Sequence, residues 1–161
     1  MKQKVLDNLR IINFILIFFL ILFIVRLLSG GKTSSTPVEE VAAEVTAVMD
    51  MTNMSEGDSL KVKQFYGLNV NDYDGAVLYC GTSNMDVQEL LIVRMKDDSQ
   101  ADTVREAMQE RVDTQTQSFE GYGVSQTKLL KDSVLDVQGN YAMLCINSKA
   151  EEADEAYRKS L

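Results

Sequence analysis

The chain has no histidine and no tryptophan, only one proline (Pro37), and only two cysteines. Histidine is the side chain that most often moves protons near neutral pH and binds transition metals, so its absence excludes most hydrolase constellations. The cysteines, Cys80 and Cys145, stand in separate apolar segments without a C-x-x-C spacing, which supports neither a zinc site nor a thioredoxin-type pair. They read first as small buried hydrophobes, second as a mutual disulfide, and last as a reactive nucleophile. Positive charge is also scarce beyond the first 28 residues, where 12 Lys+Arg face 23 Asp+Glu, a net charge near −11. So acidic a surface repels phosphate backbones, which argues against nucleic acid as a partner. No G-x-S-x-G context and no glycine-rich phosphate loop occur, and nothing in the sequence names a catalytic residue, a cofactor or a metal ligand.

What is present begins with an apolar run. Residues 11–28 are apolar on every helical face except at Asn13 and Arg26. At about 1.5 Å per residue the run covers roughly 27 Å, close to the hydrocarbon thickness of a bilayer, and Arg26 can reach the interface from near its end. The run exceeds an ordinary signal-peptide core, and neither an Ala-x-Ala site nor a lipoprotein-type cysteine follows it, so the reading is an uncleaved anchor. Lys2, Lys4 and Arg10 ahead of it favour a cytoplasmic tail over residues 1–10, with the bulk of the chain outside the cytoplasm. Residues 29–37 are small and polar, the composition of a flexible linker, and 38–161 form one extracytoplasmic domain.

Within that domain, Val38, Val41, Ala42, Val45 and Met49 share a helical face, with Thr36 as cap and Pro37 at the first position. A short helix over 59–66, with Leu60 and Phe65 inward, stops at Gly67. Gly75–Gly81 and Glu89–Lys96 read as strands, the second with Leu91, Val93 and Met95 on its single core face. A helix over about 99–119 follows, then a partly helical stretch through Leu130. Strands over 133–138 and 141–147 are joined at Gly139-Asn140, and a helix over 149–161 places Ala153, Ala156 and Tyr157 inward. The order predicts an α+β fold: a transmembrane helix, then a four-stranded, mainly antiparallel sheet with helices on one face.

Candidate chemistry is thin. The acidic loop Asn69–Gly75 fails as a calcium loop, because setting Gly75 at the sixth position puts Val70 at the first and Gly81 at the twelfth. The carboxylate pairs Asp97-Asp98, Glu39-Glu40 and Glu151-Glu152 are adjacent in sequence and do not face each other on a helix. The stretch Thr82, Ser83, Asn84, Met85, Asp86 is longer and more polar than a tight hairpin needs, which marks it as a candidate partner-contact loop.

Phe65-Tyr-Gly-Leu68, Asp72-Tyr73, Ser83-Asn-Met-Asp86, the strand from Glu89, Ser118-Phe-Glu-Gly-Tyr122 and Gly139-Asn-Tyr141, in that order, resemble a family of uncharacterised small domains of Gram-positive bacteria that sit behind a membrane anchor or lipoprotein signal. The resemblance covers about residues 40–161 and departs at Thr127, where members carry a tyrosine. It implies an extracytoplasmic setting and carries over no catalytic or binding residue. The expected role is therefore non-enzymatic binding of a protein partner or envelope component from a membrane tether. The alternative is a sensor or assembly subunit that pairs through its membrane helix, with Asn13 as the contact.

Overall fold

The computed structural model describes residues 15–21, 33–121 and 123–161. The chain divides into two compact units, 1–31 and 32–161. In the first, residues 15–21 are helical (α1), and each of these seven apolar side chains is 51–63% exposed. Among the described residues no helix is long and apolar enough to cross a membrane. The rest of the expected span over 11–28, the tail 1–10, the linker residues 29–32 and Tyr122 lie outside the described residues.

The second unit is a five-stranded antiparallel sheet of β1 (Met54–Gly57), β2 (Gly75–Gly81), β3 (Glu89–Arg94), β4 (Val134–Gln138) and β5 (Tyr141–Ile146), in the order β1-β2-β3-β5-β4. The α+β expectation holds, but the sheet has five strands rather than four. The strand the sequence hides is β1, Met-Ser-Glu-Gly, four residues on the sheet edge with no alternation of apolar side chains. Its pairing from Met54↔Gly81 to Gly57↔Leu78 makes it a strand.

Helices also cover two faces rather than one. Residues α2 (Val38–Thr46) and α6 (Ala150–Ser160) pack with Leu90, Ile92, Met143 and Cys145. On the other face α3 (Ser59–Tyr66), α4 (Ala101–Phe119) and α5 (Val124–Lys131) pack with Leu78, Leu91, Val93 and Leu144. The central strands therefore have no solvent face: Leu90, Leu91, Ile92 and Val93 are each fully buried, as is every residue of β5. At about 1.5–3 kcal/mol for each large aliphatic side chain removed from water, these two strands contribute substantially to the domain's stability.

The helix ends follow local chemistry. The Asp58 carboxylate accepts from the Lys61 N–H at 2.9 Å to start α3, and Gly67 closes it in the left-handed region at φ 68°. Leu60, expected inward, is 69% exposed, and Val62 and Tyr66 face the core instead. Because a Cβ on Gly67 would touch nothing within 4 Å, Gly67→Ala tests backbone conformation alone. It is expected to cost about 1 kcal/mol in urea unfolding. Thr36 does not cap α2 through its side chain; its hydroxyl donates to the Ser160 carbonyl at 3.2 Å. Gly139, at φ 56°, occupies the first position of the two-residue turn between Gln138 and Tyr141.

Candidate functional site

The sheet has two poles, fixed by strand register. At one, Arg94 pairs with Tyr141 beside the Gly139-Asn140 turn; at the other, Glu89 pairs with Ile146 next to the β2–β3 connection. Six residues at about 3.4 Å each separate the poles by roughly 20 Å.

The chain enters the domain at the first pole. Asn140 holds Ser34 through both its amide groups, accepting from the Ser34 N–H at 2.8 Å and donating to its carbonyl at 3.1 Å. The Tyr141 hydroxyl donates to the Thr36 carbonyl. The described part of the polar segment, 33–37, is thus pinned to the hairpin turn and to the end of α6, although its composition reads as a linker.

The loop Thr82–Asp86 lies at the second pole. Thr82, Ser83, Asn84 and Met85 are exposed, Met85 to 56%. The loop is nonetheless held: the Thr82 N–H donates to the Asn53 carbonyl at 2.8 Å, the Asp86 N–H to the Ser83 carbonyl at 3.0 Å, and the Gln126 side-chain amide to the Met85 carbonyl at 3.2 Å. Asn53 turns the chain into β1 at φ 61°, a conformation asparagine tolerates better than most residues. Buried Asn147 ties the pole together, donating to the Asp50 carbonyl at 2.8 Å and to the Gln88 side-chain oxygen at 2.9 Å. Between the loop and α5 runs an open groove of about 420 Å³, walled by Thr82, Met85, Asp86, Ser125, Gln126 and Leu129. The candidate loop residues are therefore brought together on one presented surface. Pre-formed main-chain geometry lowers the entropy that a partner must pay to order it.

Two polar constellations escaped the sequence reading. The Glu89 side chain is 3% exposed and takes a two-point contact from Arg111, Nε to Oε1 at 3.1 Å and Nη2 to Oε2 at 2.7 Å. The Tyr66 hydroxyl donates to the same Oε1, and the guanidinium lies 4.0 Å from the centre of the Phe65 ring. With its amide turned so that the oxygen faces Arg111, Gln115 would accept from Nη2 at 2.7 Å, which gives the guanidinium a further acceptor beside Glu89. Burial and the Glu89 charge push the Tyr66 phenol well above its ordinary range. The signal was there: Arg111 falls on the stripe of Val104 and Met108, and a charge on an apolar stripe needs a buried partner. The second constellation joins Asp136 of β4 to Asp154 and Arg158 of α6, with Arg158 Nε 3.0 Å from each carboxylate.

Cys80 and Cys145 are both unpaired thiols, and the disulfide reading is corrected. Cys80 sits opposite Glu89 on the α3–α4 face of the sheet, whereas Cys145 belongs to the α2–α6 face. The sheet itself stands between them. Cys80 is 3% and Cys145 0% exposed, so the accessible thiol that a nucleophile reading requires is not found. Burial pushes the Cys145 thiol up to about 12. Lys61 Nζ donates to Cys80 Sγ at 3.6 Å and covers it from the α3 side. Asp72 and Asn69, from the rejected calcium loop, form a 3-10 turn in which the Asn69 side chain accepts from the Asn71 N–H. Asp97 accepts from the Ser99 N–H ahead of α4, as expected of a turn and helix start.

A family model described as a domain of unknown function, DUF4358, matches residues 47–147, a span that holds the Thr82–Asp86 pole and the Glu89–Arg111 pair. Comparison with curated proteins and with solved structures gives no match.

Proposed function

The chain belongs to the DUF4358 family of domains of unknown function, and from that premise we propose that it is a membrane-tethered, extracytoplasmic, non-enzymatic domain that binds a protein partner or envelope component through its Thr82–Asp86 pole. The observation that carries this reading is the placement of the two poles. Asn140 and Tyr141 fix the incoming chain at one end of the sheet, and the ordered, exposed loop stands at the other. The tether itself rests on the apolar run 11–28 and on the exposure of all seven side chains of α1, an apolar patch that water does not tolerate uncovered.

Site-specific photo-crosslinking in intact cells tests the proposal. A photoreactive residue at Met85 is expected to capture one reproducible species, whereas the same residue at Glu106, exposed on α4, captures none. Met85→Glu is expected to abolish that capture while changing stability by less than about 0.5 kcal/mol, because the side chain is mostly in water. Equal labelling from both positions, or capture that survives Met85→Glu, would remove the loop from the reading. Capture that disappears only when Asn13 is replaced would move it to the membrane helix.

A further inference from the structure

The contact between α6 and the edge strand β4 is unevenly served with donors. Asp136 accepts from the Gln138 side-chain amide at 3.0 and 3.1 Å on its two oxygens, and from Arg158 Nε at 3.0 Å. Asp154 receives only the same Arg158 Nε, also at 3.0 Å, on Oδ2, while its buried Oδ1 has no partner. One N–H cannot point at two carboxylate oxygens at full strength. Beside them the Tyr157 hydroxyl, on a side chain with no exposure, meets the Gln138 backbone and lies within reach of both carboxylate charges. Asp136 and Asp154 side chains are 12% and 18% exposed, but Arg158 is 56% exposed, so water screens the one cation that faces two anions.

We propose that the Asp136–Asp154 carboxyl pair is a proton-binding site, and that the proton it shares is the latch that holds helix α6 on strand β4. The added proton lies between the two carboxyl groups and ends their mutual repulsion. It also lowers the cost of burying the orphaned Oδ1, since a neutral carboxyl loses less hydration than a carboxylate. Arg158 then keeps its bond to Asp136. The groups facing the pair are Arg158 and Tyr157 of α6, Gln138 of β4 and Cys145 of β5, with Tyr141 of β5 facing Tyr157. From α2, Glu44 lines a separate groove with Glu152, Glu155 and Lys159. Burial first, and then the Asp136 charge, push the Asp154 carboxyl up, against the pull of Arg158. For an acid whose folded pKa is raised, the stabilisation is complete at low pH and is lost as pH rises through that pKa.

Hydrogen exchange of the full chain, read on peptides covering α6 between about pH 4 and pH 8 and corrected for intrinsic rates, tests the latch. Protection of α6 is expected to fall as pH rises, about tenfold per unit of upward shift once the proton is lost. Asp154→Asn, neutral at every pH, is expected to hold protection at its acid level throughout. Asp136→Asn removes the opposing charge but leaves Asp154 buried, so it is expected to shrink the pH step without abolishing it, and it decides the question if Asp154→Asn does not fold. Glu155→Gln, an exposed neighbour paired with Lys159, is expected to leave the wild-type profile unchanged. A wild-type profile flat with pH, a pH step that survives in Asp154→Asn or is undiminished in Asp136→Asn, or one that disappears in Glu155→Gln, would overturn the proposal.

Discussion

Replacing Arg111 by methionine is expected to destabilise the domain by about 3–5 kcal/mol, the cost of leaving a buried carboxylate without its cation. The Glu89 side chain is 3% exposed, so water cannot take over the two bonds that Arg111 supplies. Only the Tyr66 hydroxyl would remain on that carboxylate. Adding Glu89→Leu to Arg111→Met is expected to recover much of the loss, since removing both charges removes the uncompensated one. It should not recover everything, because the buried Tyr66 hydroxyl then loses its acceptor, at about 1–3 kcal/mol. Adding Tyr66→Phe is expected to restore that last part. Urea unfolding of the single, double and triple variants, followed by circular dichroism, measures each step. If Arg111→Met costs less than about 1 kcal/mol, the pair is not buried as a unit, and α4 does not depend on it for its position over β3.

The parts of this fold that were legible in the sequence are those with local causes. The boundaries of β2 follow from Gly75 and Gly81, the hairpin turn from Gly139-Asn140, the end of α3 from Gly67, and the buried face of α2 from the spacing of Val38, Val41, Ala42 and Val45. What was not legible depends on partners distant in sequence. Strand β1 exists because Ser55 and Glu56 find Cys80 and Tyr79 across the sheet, which no pattern in Met-Ser-Glu-Gly announces. Leu60 and Val62 compete for the inward face of an eight-residue helix, too short for periodicity to decide. The separation of the cysteines needs the side of the sheet to which each strand turns, and that is set by register. As for the candidate site, the exposed loop could be read from its length and polarity. Its setting at the pole opposite the chain's point of entry could not, because it depends on Asn140 reaching back 106 residues to Ser34. Glu89 shows the same limit: it looks like the polar start of a strand until Arg111 and Tyr66 are brought to it.

The burial of both sheet faces predicts a pair of matched, large effects at neighbouring positions of β3. Leu91 pairs with Leu78 and Leu144 and faces α3 and α4; Ile92 pairs with Val77 and Met143 and faces α2 and α6. Both are fully buried, so Leu91→Ala and Ile92→Ala are each expected to cost about 2–5 kcal/mol, transfer plus residual cavity, in urea unfolding. A sheet with helices on one face only would give one large value and one below about 1 kcal/mol, because a side chain already in water leaves no cavity. The pair therefore tests the architecture and not merely the core. It also separates the two helix layers. Cysteine labelling in mild urea is expected to report α2 and α6 loosening in Ile92→Ala through Cys145, which packs on that face, and loosening of the opposite layer in Leu91→Ala through Cys80. If both thiols become accessible together in both variants, the two layers open as one cooperative unit, and an α6 latch would then act on the stability of the whole domain.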